Sequence, residues 1–415
     1  ILGMLVVGFL ADAISRRQAF LITTYLTVFG AIASGVVGPW EGSSTALQDA
    51  IARWIVAWRF VIGFGIGGTF PVSGAESFET GSDTTISKLR VQWILTGQAL
   101  GQMLPYVVAF VFSYLSVGMT GAGALSYEFQ WRLFLCLGAV FGVFGLVQIH
   151  LSPDEEKPHH ELVSGSDGAA AHRQQVREDF LRYVAQPKYQ GRLIGACIPW
   201  FLYDVVAYGI ALDSVEILEK VFTSDSYREN MIQNIVATSL NLPGVVITIT
   251  FLAVYGIRTT QLIGWCFMVA IFAATGVAKS VGASSGVVFA LYLVCRFSIW
   301  FGMGITCFYL PNLLFPESIR GTCNGIAAAM GKAGALVGVF LLPNLGVGLA
   351  GIFYVCSGMA VAGYFFTVMF VPTDETLDQE LLAAAKGKDL GGGRDRDAAT
   401  AGEPAPGEKT RLLSA

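Results

Sequence analysis

The 415 residues carry 26 basic and 30 acidic side chains, a formal net charge of −4, and are 54% hydrophobic against 13% charged. Mean hydropathy is +0.60. A soluble domain would hold about 25% charged residues, so this composition excludes an ordinary soluble protein, and no nucleic-acid signature is present.

Apolar stretches recur, each near or above the ~20 residues that cross a bilayer. We read eleven: 1–11, 19–39, 53–76, 91–116, 132–151, 193–217, 232–255, 261–281, 287–311, 321–344 and 349–371. The first starts at Ile1 inside an apolar run and is expected to be the end of a longer span. A signal peptide is disfavoured, because no basic start precedes it and Asp12 follows directly.

Gly8, Asp12, Arg16 and Arg17 lie between the first two spans. This acid and paired arginines suit charge contacts that latch neighbouring helix ends, a gating role; an ordinary positively charged loop is the plainer alternative. In the third span Arg59 is followed by Gly63, Gly65 and Gly67. Arg59, one turn inside the membrane, is placed to snorkel to the surface. Gly63, Gly65 and Gly68 also fit a dinucleotide fingerprint, which is discounted because no strand precedes them. In the fourth span Gln98 and Gln102 stand one turn apart.

A polar linker, 152–191, follows the fifth span and contains His159 and His160, read as solvated. Beyond it, Asp204 is the sole charge between Leu193 and Leu212. Trp200, Asp204 and Tyr208 stand at i, i+4 and i+8, so an indole N–H, a carboxyl and a phenol share one helix face. Helix–helix glue is the alternative reading. Pro199 is expected to kink this helix. Lys332 is likewise the sole charge between Gly321 and Pro343. An ionisable group at mid-bilayer costs roughly 2.5–3.5 kcal/mol on insertion scales. Two opposite charges of this kind point to a substrate pathway, and without substrate they are expected to pair. Gly325 to Ala333 is no phosphate-binding loop: the spacing is too long and Ala333 replaces the hydroxyl residue. The chain from Asp374 is polar, and from Gly391 it is low-complexity and expected to be disordered. Glu408 to Leu413 fits an acidic dileucine pattern.

Basic residues fall on alternate loops. Arg16, Arg17, Lys88, Arg90, Arg258, Arg320 and the linker share one side, whereas the other holds Lys220, Arg228 and Lys279. The positive-inside rule then places the linker and C-terminus in the cytoplasm. Arg59 to Thr69 aligns with Arg296 to Thr306 at seven of eleven positions, the mark of an internal repeat. The expected organisation is an N-terminal helical half (1–151), the linker (152–191), a C-terminal half (192–373) and a tail (374–415). Two parallel halves with a site between them near the midplane are a known transporter plan.

The Gly8–Arg17 loop resembles the signature loop of the major facilitator superfamily. More narrowly, the chain resembles that superfamily's phosphate:proton symporters. Three blocks carry the likeness: Arg59 to Glu79, Gly191 to Gly209, and Phe315 to Lys332. The resemblance implies an all-α membrane protein of two six-helix halves, here with about eleven helices and the first missing. It maps the phosphate site onto Gln98, Trp200, Asp204, Tyr208 and Lys332. Proton coupling falls on Asp204, Arg59 and Glu79, and conformational gating on Asp12, Arg16 and Arg17. The chain departs from the family at Thr69 and Phe70, where an acid and a tyrosine are usual, and at Gly304, where an Asn is usual.

The expected function is inorganic phosphate:proton symport by alternating access. A facilitator-type carrier of another organic anion or sugar, and a non-transporting nutrient sensor, are the alternatives. An enzyme is not expected, since the spans hold no nucleophile–base or metal constellation. No metal or cofactor is expected, because the seven cysteines lack ligand or disulfide spacing. The expected partners are phosphate, protons and the lipid bilayer, without nucleic acid, for a monomer in the plasma membrane.

Overall fold

The computed structural model describes residues 1–14, 16–36, 45–79, 84–117, 127–151, 166–212 and 227–381. His159, His160 and the dileucine pattern lie outside the described residues. The described elements are helical, with no strand among them. In chain order they are α1 (Leu2–Ala13), α2 (Arg16–Gly35), α3 (Thr45–Glu79), α4 (Thr84–Val117), α5 (Tyr127–Leu151), α6 (Ser166–Val184) and α7 (Pro187–Leu212). There follow α8 (Tyr227–Ser239), α9 (Asn241–Tyr255), α10 (Ile257–Ser280), α11 (Ser285–Trp300), α12 (Met303–Leu314), α13 (Arg320–Asn344) and α14 (Gly348–Phe370).

Ten helical segments among the described residues are long and apolar enough to cross a membrane. Each expected stretch from residue 19 onward falls on one of them, and the expected 1–11 stretch falls on the shorter α1. Large apolar side chains such as Phe141, Phe144, Phe340 and Phe365 point outward, while Thr248, Gln261, Asn312 and Asn324 are buried between helices. This inverted polarity suits lipid as the outer solvent, with interhelical hydrogen bonds inside.

Two spans are broken helices. Residues 228–255 divide at Leu240, and residues 285–314 divide at Phe301 and Gly302. Gly302 has φ +80°, which an L side chain rarely adopts. A backbone opened inside a membrane needs new partners, and Thr248 of α9 supplies them. Its Oγ1 accepts from the Gly302 N–H at 2.8 Å and lies 3.4 Å from the Trp300 carbonyl. The break re-aims the chain so that α11 and α12 both face the interior. Pro199, by contrast, sits inside an uninterrupted α7.

Helix α7 packs along α13 and α14, α10 along α14, and α2 against α3 and α5. Helices α1–α5 meet the later helices along two main seams: α1 against α13, and α4 against α8 and α9. The first seam is close. A Cβ on Gly8 would lie 2.8 Å from the Gly321 carbonyl oxygen and 3.0 Å from Gly325 Cα, so only glycine lets these backbones approach.

Part of the linker is helical. Helix α6 occupies residues Ser166–Val184, packing on α1, α7 and the 3-10 turn Glu317–Ile319. Residues 374–381, the first part of the expected tail, form a helix that docks on the bundle. There Asp374 accepts the backbone N–H groups of Arg258 (2.8 Å) and Thr259 (3.0 Å), which caps α10. Glu380 accepts from Arg192 at 2.6 and 2.7 Å and from Lys188 at 2.8 Å. Burial pulls the Glu380 carboxyl up, but the bonds from Lys188 and Arg192 outweigh it and hold the group below its ordinary value.

Candidate functional site

The helical spacing of Trp200, Asp204 and Tyr208 places them on the face of α7 that meets α13, where Lys332 projects. Lys332 Nζ donates to Asp204 Oδ2 at 3.1 Å and to the Tyr208 hydroxyl at 2.5 Å. It also lies 4.0 Å from the Tyr208 ring centroid. Asp204 is 2% exposed. The two solitary charges of the sequence therefore form an ion pair inside the bundle. Trp200 presses on α13 at Gly331, beside the lysine: a Cβ there would lie 2.6 Å from Trp200 Cδ1 and 2.7 Å from Nε1.

A cavity of about 50 Å³ opens at this pair. Gln98 and Gln102 of α4 reach it from the first half of the chain, so all five residues assigned to phosphate by resemblance surround one space. Gln102 accepts from Asn241 Nδ2 at 3.1 Å, tying α4 to α9 at the second seam. Phe70 covers one side, in edge contact with Phe308 (4.9 Å between centroids) and tilted against Trp200 (5.9 Å). Lys332 Nζ lies 5.9 Å from the Phe70 centroid, within reach of the ring's negative face. Thr69 does not line the cavity; its hydroxyl donates to the Gly65 carbonyl one turn back at 3.1 Å.

The arrangement offers an ammonium, a phenol, an indole and two amides to a small guest. Such a set replaces the water shell of an oxyanion with charge-assisted and neutral hydrogen bonds. The carboxylate that holds the ammonium is the one group that opposes an anion.

The gating candidates form a second constellation at the α1–α13 seam. Asp12 is buried and accepts from Gly321 N (3.0 Å), Thr322 N (2.6 Å) and Thr322 Oγ1 (2.7 Å). A carboxylate thus caps the N-terminus of α13, where backbone donors and helix dipole favour negative charge. Arg16 Nη2 stands 3.6 Å from Asp12, and Arg17 Nη2 donates to the Ile149 carbonyl at the end of α5 (2.9 Å). Of the proton-coupling candidates, Arg59 is not brought to the cavity. Arg59 is exposed on the outer face of α3, and Glu79 ends that helix, its side chain outside the described residues.

Phe70, marked in the sequence as a departure from the family, forms a wall of the cavity, whereas sequence reasoning missed Arg296, a buried cation lining the same space. The signal for Arg296 was its place in the repeat opposite Arg59, which said nothing about burial.

A family model described as "Sugar (and other) transporter" matches residues 1–384. The chain belongs to that family, within the major facilitator superfamily. It is 30% identical over 395 residues to "Inorganic phosphate transporter PT2" of Toxoplasma gondii, covering 92% of this chain and 64% of that protein. It is 25% identical over 400 residues to "Inorganic phosphate transporter PHO84" of Saccharomyces cerevisiae, covering 83% and 66%. The chain therefore spans just under two thirds of the length of each. Among solved structures, the proton:xylose symporter XylE bound to 6-bromo-6-deoxy-D-glucose superposes with a TM-score of 0.70 at 18% identity, covering 91% of this chain and 87% of that one. XylE from E. coli in a partially occluded inward open conformation gives 0.63 at 19%, covering 89% and 85%. At such identities the likeness carries the fold alone: a multi-pass integral membrane protein with the major facilitator architecture.

Proposed function

We propose that this family member is a symporter of inorganic phosphate and protons that works by alternating access. The observation that supports it most is the Lys332–Asp204 pair held in a cavity of about 50 Å³. There an ammonium, a phenol, an indole and amides converge, a donor set that suits an oxyanion better than a neutral sugar. The similarity to proteins named as phosphate transporters points the same way.

In this reading phosphate competes with Asp204 for Lys332. An anion beside the released carboxylate favours its protonated form, so anion and proton arrive together and leave together. Coupling rests on Asp204, and Thr69 and Arg59 contribute nothing to it. The halves 1–151 and 192–373, joined by the linker, rock about the cavity. The Asp12 cap holds α1 to α13 while the cytoplasmic side is closed and breaks when it opens. The linker and C-terminus are cytoplasmic, and the monomer resides in the plasma membrane.

Uptake of inorganic phosphate into liposomes under an imposed pH gradient tests this. Lys332→Ala is expected to abolish uptake, and Asp204→Asn to remove its dependence on the proton gradient. Normal gradient-driven uptake by either variant would sink the proposal.

A further inference from the structure

Arg296 sits in the last turns of α11, just before the break at Phe301 and Gly302, and is 3% exposed. It lines the same cavity as Lys332. Its Nε is buried without a hydrogen-bond partner, and no carboxylate pairs with it among the described residues. The phenol Tyr203 lines the cavity with it. Tyr292 Oη, one turn before Arg296, is itself buried and unpartnered. Asp204 is committed to Lys332 at 3.1 Å. Those two charges cancel, so the cavity is left with the uncompensated charge of Arg296. Gly304, across the helix break, adds no side chain to that wall.

A buried cation without counter-ion or hydrogen bonds is a costly arrangement. It persists where a ligand supplies the missing partner. The guanidinium presents a planar fork of donors that matches two oxygens of a tetrahedral anion. We propose that Arg296 is a second cationic ligand of the transported oxyanion, acting from α11 while Lys332 acts from α13. This rests on the phosphate reading and extends it: the anion answers two cations. Arg296 is then a specificity residue that favours the more highly charged form of a small oxyanion over neutral solutes.

The test uses the full chain, purified in detergent, with inorganic phosphate as the probe. Equilibrium phosphate binding and thermal unfolding, with and without phosphate, are measured for wild type, Arg296→Gln and Arg296→Lys. The proposal expects Arg296→Gln to weaken phosphate binding roughly 10- to 100-fold, the scale of a hydrogen bond to a charged group. Arg296→Lys recovers part of that loss. Without phosphate, Arg296→Gln unfolds at the wild-type temperature or higher, because a lone buried charge has gone. Phosphate affinity within twofold of wild type in Arg296→Gln would overturn the proposal. A phosphate-free protein that is destabilised by Gln and restored by Lys would overturn it too, since that is the mark of a structural residue. If wild type binds no phosphate, the phosphate reading falls first. Sulfate is then titrated in the same assay, and stabilisation by sulfate that does not depend on Arg296, or none at all, overturns the second-cation proposal as well.

Discussion

Replacing Asp12 by Asn tests the latch at the α1–α13 seam. The carboxylate accepts three hydrogen bonds, with Oδ1 serving Gly321 N and Oδ2 serving both Thr322 groups. Asn keeps one oxygen, which satisfies the Thr322 pair, and turns its NH₂ toward the Gly321 donor. One bond to a charged group is lost, worth about 1.5–3 kcal/mol. The negative charge at the helix N-terminus goes too, worth about 0.3–1 kcal/mol. Together these make the closed seam roughly 2–4 kcal/mol less favourable, a shift of about 30- to 700-fold in the open population. Cys323, next to Thr322 and 0% exposed, is a native reporter. When opening is fast relative to reaction, thiol labelling tracks the open population. Maleimide labelling of Cys323, read by mass spectrometry, should therefore accelerate strongly in Asp12→Asn. Labelling no faster than in wild type, with the protein folded, would refute the latch.

Two further outcomes follow from other contacts. Gly331→Ala inserts a Cβ 2.6 Å from Trp200 Cδ1, so the indole must shift; overpacking of this kind costs about 1–3 kcal/mol. The KM for phosphate should rise several-fold, and an unchanged KM would show that Trp200 does not help form the site. Glu380 is held below its ordinary value of 4.5 by Lys188 and Arg192, against the opposing effect of burial. A depressed carboxylate contributes stability above its unfolded value and loses it as pH falls through the folded one. Protection of the amides of residues 374–381 against hydrogen exchange, taken relative to the intrinsic rate at each pH, should be high at neutral pH and fall as pH drops below about the ordinary glutamate value. Glu380→Gln should lower that protection at neutral pH and flatten its pH dependence, and protection indifferent to both changes would show that the pairing does not dock this helix.

The paired charges were legible because each is alone in an apolar helix, so no other residue competed for attention. Spacing by four then put Trp200, Asp204 and Tyr208 on one face, and the structure keeps that face toward Lys332. Burial was not legible. Arg59 and Arg296 occupy matching places in the repeat, yet the first is exposed and the second is 3% exposed. A local motif cannot say which neighbours the fold brings to it. The break at Gly302 was hidden for the same reason. With 49 glycines in the chain a single one carries little information, and the Thr248 that satisfies it lies 54 residues away. The polar stretch after Asp374 looked like tail because its partners, Thr259, Lys188 and Arg192, are distant in sequence. Helix α6 lies within the linker, where a polar composition marks no span.

The central claim is that the Lys332–Asp204 cavity holds inorganic phosphate. Equilibrium binding of radiolabelled phosphate to the purified chain, with excess xylose or glucose as competitor and with Lys332→Ala as control, tests it most directly. Saturable binding that neither sugar displaces and that Lys332→Ala abolishes is the expected result. Binding of sugar in place of phosphate, or phosphate binding that survives loss of Lys332, would contradict it.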